Sequence, residues 1–362
     1  MNLTIYFIIM KSYNQLWDKL ISYDNLYLAY KKARKVKPNS NMVLSFDFNL
    51  ERNLLKLQSE LVNNTYKVSK YNVFIIYEPK KRVIKALPFK DRIIQHALIN
   101  IIEPIFEKAF IYNSFACRKN KGIYEALIRI RRQIQSNKPK KYFLKADVKK
   151  YFYSVDQSVL KKIISKRIKD KKVISLVYRL IDSDHSYLGL KKGIPIGNLS
   201  SQLFANIYLN ELDQFVKHKL KIKHYYRYVD DFLILSNSKK QLNKVIYEIR
   251  CFLKNDLKLK LPSKKTNICL TKDGVDFVGY KIYLDYIKLR KSNIKRFIGR
   301  TKNNIYLYNK CKLDENNLES SICSFLGYAK HANAYLISKK LFNIYFDKWT
   351  YLLNKIYASD IK

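Results

Sequence analysis

Tyr228-Val229-Asp230-Asp231 sets two adjacent acids between apolar runs, Tyr225-Tyr226-Arg227-Tyr228-Val229 before and Phe232-Leu233-Ile234-Leu235 after. Both flanks are rich in β-branched and aromatic residues and read as strands, so the acids fall where the chain reverses. Two carboxylates at the tip of a buried hairpin are electrostatically costly unless a cation neutralises them. A hard divalent ion with oxygen ligands meets that need. An ordinary Asp-Asp turn is the alternative, because Asp is common in turns. A third acid, Asp147, closes Phe143-Leu144-Lys145-Ala146-Asp147-Val148, another strand-like run. With that strand beside the hairpin, Asp147 faces Asp230. Two carboxylates meeting across neighbouring strands can hold two magnesium ions at the spacing of an in-line phosphoryl transfer. Asp231 takes a supporting part, because adjacent strand residues point to opposite faces.

The elements that must position these acids can be read from periodicity. Leu16 to Lys35, Leu50 to Val62 and Asp91 to Phe110 have helical apolar spacing. Val73 to Leu87 reads as two strands joined by the basic turn Glu78-Pro79-Lys80-Lys81-Arg82. After the strand Tyr142 to Asp147 come helices over Gln157 to Ile168 and Leu199 to Val216. The acidic hairpin follows, then a helix from Lys239 to Leu253 and strands near Asn267 and over Asp276 to Tyr283. Strand, helix, helix, two strands, helix, strand is the order of a ferredoxin-like split βαβ sheet with helices on one face. The last seventy or so residues are basic, aromatic and helical, as a separate bundle would be.

Composition points to a polyanionic partner. Lys plus Arg number 71 against 29 Asp plus Glu, a net charge of +42 over 362 residues. The lysines are spread through the chain, from Lys138, Lys140 and Lys141 through Lys161 to Lys172, Lys217 to Lys223 and Lys258 to Lys265. A folded protein with a basic channel fits this better than a disordered basic arm, although AT-rich codon usage can supply part of the lysine. Some of the 30 tyrosines and 19 phenylalanines interleaved with them could stack on bases. The five cysteines show no C-x-x-C spacing, which argues against structural zinc and against a disulfide framework and makes a reducing cytoplasm the expected location. No apolar run reaches the length of a membrane span. Residues Met1 to Met10 are apolar but lack the basic start and cleavage site of a signal peptide, and Met10 is an equally good start; residues 1–9 are expected to be dispensable.

With these motifs in order, the chain resembles a reverse transcriptase. The carriers are Asp147-Val148-Lys149-Lys150-Tyr151-Phe152, then Gly193-Ile194-Pro195-Ile196-Gly197-Asn198-Leu199-Ser200-Ser201-Gln202, then Tyr228-Val229-Asp230-Asp231, followed by Lys264-Lys265-Thr266 and Phe277-Val278-Gly279-Tyr280. The resemblance implies an α+β right-hand polymerase: N-terminal extension and fingers over 1–135, a ferredoxin-like palm over 136–285, a helical thumb over 286–362. It also implies two Mg2+ ions, replaceable by Mn2+, on Asp147, Asp230, Asp231 and the Val148 carbonyl. Phe152 matches a steric gate against a 2′-hydroxyl, with a core phenylalanine as the alternative. Arg82, with Ile196, Gly197 and Lys265, falls at dNTP-binding positions. Lys265 matches a lysine proposed as general acid for pyrophosphate, with a solvated surface lysine as the alternative. Arg118 could brace template or triphosphate, or make a structural salt bridge. Phe277, Val278, Gly279 and Tyr280 match a primer grip. Template RNA, an RNA or DNA primer with its cDNA, and dNTPs are the implied partners, with no membrane.

One departure narrows the resemblance. Most reverse transcriptases place Gln where Ile196 stands and Pro where Gln202 stands. The stretch Ile196-Gly197-Asn198-Leu199-Ser200-Ser201-Gln202 is similar to that of diversity-generating retroelement enzymes, as are Tyr13-Asn14-Gln15-Leu16-Trp17-Asp18 and Gly327-Tyr328-Ala329-Lys330-His331-Ala332. Such an enzyme copies a template-repeat RNA with errors opposite adenine and works with a small, basic, oligomeric accessory variability protein. Ile196, Ser201 and Gln202 are then the fidelity and template residues. A glutamine beside the nascent pair can report misalignment, and an isoleucine removes a check worth roughly 1–3 kcal/mol. A group II intron-like or retron-type enzyme is the alternative, the intron type with an endonuclease for which 362 residues leave no space. An inactive palm kept as an RNA-binding scaffold is the remaining one, and the presence of all three acids argues against it.

Overall fold

A computed structural model describes residues 11–77, 80–136, 140–183 and 191–345, together with Leu352. The apolar opening through Met10, residues Glu78 and Pro79 of the basic turn, and Lys138 lie outside the described residues.

The stretch read as one helix from Leu16 is two, α1 (Trp17–Ile21) and α2 (Tyr23–Arg34). Ser22 breaks it: its backbone is extended, and its hydroxyl accepts the Asn25 N–H at 3.3 Å and so caps α2. α3 (Asn41–Asp47) and α4 (Leu50–Val62) follow. Strands β1 (Asn72–Ile76) and β2 (Arg82–Ala86) pair antiparallel, as the basic turn between them required. α5 (Phe89–Glu107) is the hub of this N-terminal part. Its Ile93, Ile94, Leu98 and Ile102 are fully buried, each contributing about 1.5–3 kcal/mol of transfer free energy. α6 (Ile123–Ile134) leads into the central sheet.

That sheet contains β3 (Tyr142–Asp147), β4 (Tyr225–Tyr228), β5 (Asp231–Ser236) and β6 (Thr266–Leu270), in the order β4-β5-β3-β6 and antiparallel throughout. Between β3 and β4 come α7 (Tyr151–Ser154), α8 (Gln157–Arg167), α9 (Lys171–Asp182) and α10 (Leu199–Gln214); α11 (Lys239–Asn255) joins β5 to β6. This is the split βαβ order expected from the sequence. Leu144, Ala146, Phe232 and Ile234 point into one core with Leu160 of α8, Ile207 of α10 and Ile249 of α11. Alternate residues Phe143, Leu233 and Leu235 point the other way, into a second core with Ala126 and Ile130 of α6. The second face is therefore covered too. α10 is buried nearly all round, polar Ser200, Asn206 and Asp213 included, because it lies between the sheet and α5 and α8.

The stretch Asp276 to Tyr283, read as one strand, is a hairpin of β7 (Val275–Phe277) and β8 (Tyr280–Ile282), extended by β9 (Ile287–Leu289). A bundle of α12 (Lys291–Asn309), α13 (Glu315–Ala329) and α14 (Tyr335–Tyr345) closes the described chain. Its Leu318, Ile322 and Phe325 share the second core with Phe277 and Tyr280. No described helix is long and apolar enough to cross a membrane.

Candidate active site

The three acids converge where β3 ends and β5 begins. In the antiparallel register Asp147 lies opposite Asp231, not Asp230. Directly opposed residues of an antiparallel pair share a face, so Asp147 and Asp231 both project on the α6 side. Asp230 belongs to the turn and reaches the same place from outside the ladder. Its carbonyl accepts the Val148 N–H at 3.3 Å, which fastens the turn to the end of β3.

Charge at this corner is uncomfortable. Burial, then the negative charge of Asp147, pushes the Asp230 carboxyl up to about 6; its own backbone N–H opposes the rise, as does Lys265. Asp231 is also raised by burial and by Asp147, with Lys145 acting against it. The Lys265 ammonium is ion-paired with Asp147 Oδ1 at the edge of the acid cluster, and its side chain stays exposed to solvent.

Donor chemistry here suits a hard cation: the side-chain donors are carboxylate oxygens, and burial disfavours the charge on two of them, Asp230 and Asp231. Among the described residues, no three His, Cys, Asp or Glu side chains come close enough to form a self-sufficient metal cage. Magnesium is ordinarily bound through one or two carboxylates together with substrate phosphates, so a site of this kind is completed by the nucleotide.

Around the acids, Phe152 on α7 is half-buried, edge-on to the Tyr151 ring, and its carbonyl accepts the Ile194 N–H at 2.8 Å. The loop before α10 is thus tied to the element bearing Phe152. The same loop is tied to β2: the Ile196 carbonyl accepts the Lys85 N–H at 2.8 Å. Gly197 has φ +115, and a Cβ there would sit 2.8 Å from Ile84 Cγ2 and 3.3 Å from the Lys85 carbonyl oxygen. Only glycine permits this close docking. Arg82 opens β2 and is exposed.

One open reading is decided and one expectation is corrected. Arg118 is committed to structure: it makes a bidentate pair with Glu107 and donates Nη1 to the Ile111 and Ser114 carbonyls at 2.7 Å each. Its side chain is 6% exposed and has no face left for template or triphosphate. Ser201 is buried inside the first turn of α10, so of the pair Ser201 and Gln202 only Gln202 is presented outward. At the β7–β8 hairpin, Phe277 and Tyr280 are core side chains, and the backbone of Val278 and Gly279 forms the turn.

Several residues were not singled out from the sequence. Gln95 of α5 supplies the helix cap of α10, its Oε1 accepting the Leu199 N–H at 3.1 Å. Asp276 pairs with Arg290 and lies 3.6 Å from Lys145, forming a charged bridge beside Asp231. Arg227 and Asp213 form a fully buried ion pair under the acidic turn. Only Arg227 left a sequence signal, a lone cation inside the apolar run of β4.

A ferredoxin-like sheet with acids at its β3–β5 corner, a hairpin docked on the loop before α10 and a helical bundle beyond the sheet is the architecture of a right-hand polymerase. The family model described as reverse transcriptase (RNA-dependent DNA polymerase) matches residues 68–282, more than half of the chain, and the chain belongs to that family. Protein YkfC of Escherichia coli K12 is 28% identical over 249 residues, covering 57% of this chain and 65% of that protein. The group II intron-encoded protein LtrA of Lactococcus lactis is 25% identical over 362 residues, covering 80% of this chain and 59% of that protein. The chain thus spans somewhat under two thirds of the length of these relatives. Among solved structures, apo telomerase from Candida tropicalis overlaps 65% of this chain and 59% of its own at 17% identity, with a TM-score of 0.47.

Proposed function

We propose that the chain is an RNA-directed DNA polymerase that extends a primer with dNTPs. The observation that carries this is the meeting of Asp147, Asp230 and Asp231 at one corner of the sheet, within the segment that matches the family. In the reaction the primer 3′-oxygen loses its proton and bonds to the α-phosphorus, and the bond from that phosphorus to the leaving pyrophosphate breaks. Asp147, Asp230 and the Val148 carbonyl would hold the divalent ions, with Asp231 in support. Bound there, magnesium lowers the pKa of the 3′-hydroxyl and neutralises the triphosphate. Lys265, held beside Asp147, is placed to protonate the departing pyrophosphate. Arg82 on the hairpin is the triphosphate clamp, and a planar guanidinium suits that bidentate task. Phe152 is the ring that excludes a 2′-hydroxyl, and the Val278–Gly279 backbone seats the primer end. Extension of a primed RNA by the wild type, and its loss in Asp230→Ala protein of unchanged thermal stability, is the expected result. Retained extension in that variant overturns the assignment.

Within this class we favour a diversity-generating retroelement enzyme making adenine-mutagenised cDNA from a template-repeat RNA, with a small basic accessory protein. Support comes from Ile196 and Gln202. Ile196 sits on the loop clamped between β2 and α10, where an apolar side chain replaces the amide of most relatives in the superfamily. A group II intron-like enzyme is the second reading, favoured by the 25% identity to LtrA over 80% of the chain. Sequencing the cDNA made by wild type and Ile196→Gln decides between them. The retroelement reading expects errors concentrated opposite adenine that fall in the variant, while an even error spectrum in the wild type favours the intron-like enzyme.

A further inference from the structure

Beneath the acidic turn lies a buried polar cluster that nucleotidyl transfer does not itself require. Arg227 of β4 and Asp213 of α10 are both fully buried. Arg227 Nε donates to Asp213 Oδ1 at 2.7 Å and Nη2 to Oδ2 at 2.6 Å. The Tyr225 hydroxyl donates to the same Oδ1 at 2.8 Å. Nη1 serves two other acceptors, Asn206 Oδ1 at 3.2 Å and the backbone carbonyl of Val229 at 2.9 Å. Asn206 is fixed in turn, donating Nδ2 to the Ala116 carbonyl at 2.8 Å.

As a source of stability this cluster is a poor choice. A buried ion pair generally does no better than apolar side chains of the same volume, because both charges lose hydration. What it supplies is direction. The carbonyl it holds belongs to the peptide that joins Val229 to Asp230. Val229 has φ +54, a left-handed conformation in which a β-branched side chain is crowded. Released, the valine would swing toward negative φ, rotating that peptide and Asp230 with it. In a trans peptide the carbonyl and the next N–H point in opposite directions. With the carbonyl seated on Arg227, the Asp230 N–H points the other way, out of the buried cluster.

We infer that Arg227 is a positioning residue: anchored by Asp213, its guanidinium holds the Val229 carbonyl and so keeps the crowded turn in the one conformation that aims Asp230 at Asp147. The inference rests on the role proposed above for Asp230. Asp213 and Asn206 lie on α10, which starts two residues after Gly197, so the same cluster fixes the turn relative to the loop bearing Ile196.

The test replaces both charges at constant bulk, in Arg227→Met/Asp213→Leu, which leaves no unpaired buried charge. Thermal unfolding should show a folded protein with a Tm at or above that of the wild type. Its kcat for primer extension should fall roughly 100-fold, the scale of a small misplacement of a catalytic group, with KM for dNTP little changed. Mn2+ binding, followed by titration calorimetry without substrate, should weaken about tenfold, as when an outer partner of a ligand is lost. Adding Val229→Gly, which adopts positive φ without crowding, should recover part of both losses. Wild-type kcat and Mn2+ affinity in the folded pair variant, or no recovery with Val229→Gly, would overturn the inference. A wild type that fails to extend a primer, but shows the predicted pattern of Mn2+ affinities, overturns the polymerase proposal and upholds the role of Arg227.

Discussion

Two hairpins flank the candidate active site, and they solve the same problem differently. Both use two-residue turns with valine first: Val229-Asp230 between β4 and β5, and Val278-Gly279 between β7 and β8. Both valines are left-handed, at φ +54 and +45, where glycine or asparagine is usual. The first turn is restrained by a buried ion pair between β4 and α10 of the central sheet layer. The second is restrained from the bundle: the Tyr328 hydroxyl of α13 donates to the Gly279 carbonyl, which also accepts the Arg290 N–H at 3.0 Å, and Asn293 Nδ2 donates to that hydroxyl at 2.8 Å. The acids are therefore fixed to the sheet, whereas the candidate primer-seating turn is fixed to the helices that follow it. On the roles proposed for the two turns, chemistry and primer placement would be held by separable devices.

The sharpest way to break this contrast is to strip the first device unevenly. Arg227→Met alone leaves Asp213 buried without its partner, which should cost about 3–5 kcal/mol in chemical denaturation, whereas the charge-free pair variant should cost little. Equal stability of the single and pair variants would mean that solvent already reaches Asp213. At the second hairpin, Gly279→Ala meets both strain and collision. The residue has φ +93, and the new Cβ would stand 2.7 Å from the Tyr328 hydroxyl and 3.0 Å from Asn293 Nδ2. A loss of about 2 kcal/mol is expected, with primer affinity falling more than kcat. A smaller loss with unchanged primer affinity would show that Tyr328 moves aside without consequence.

The acidic turn is further distinguished by pH. Asp230 ionises near 6 in the folded protein against an ordinary value of 3.8, so its charge destabilises the fold above that window and the penalty is relieved as pH falls through it. Discounted for its partial exposure, the effect is about 1 kcal/mol. In EDTA, Asp230→Asn should be more stable than wild type at pH 7, and the gap should close toward pH 4. A gap that is constant with pH would mean that Asp230 titrates normally.

Much of this architecture was legible in the sequence, for identifiable reasons. The β3 bounds, the order of the central sheet and α4 followed from short apolar runs and clean helical spacing, which local patterning encodes. The hairpin at Val278-Gly279 was hidden because β-branched and aromatic residues continue through the turn, so nothing interrupts the strand-like run. The register was hidden too: setting the strand beside the hairpin placed Asp147 opposite Asp230 and alternation put Asp231 on the other face, but the turn takes Val229 and Asp230 out of the ladder and Asp231 becomes the partner. Arg118 and Ser201 were read by motif position, while burial decides their parts. The Arg227–Asp213 pair joins residues 14 apart on a helix and a strand, a contact that only the folded chain creates.

The mildest change is the most discriminating between the two hairpins. Tyr328→Phe keeps the ring, which packs 4.7 Å from the Tyr280 ring, and deletes only the hydroxyl. The Gly279 carbonyl keeps the Arg290 N–H as partner, so no buried acceptor is orphaned and the stability cost should be about 0.5–1 kcal/mol. If the bundle holds the primer-seating turn, KM for the primed template should rise a few-fold while kcat at saturating primer stays near wild type. The charge-free pair at Arg227 and Asp213 should show the opposite split, with kcat falling and KM steady. A common drop in kcat for both variants would mean that the two hairpins act as one rigid unit, and the separation of chemistry from primer placement would fail.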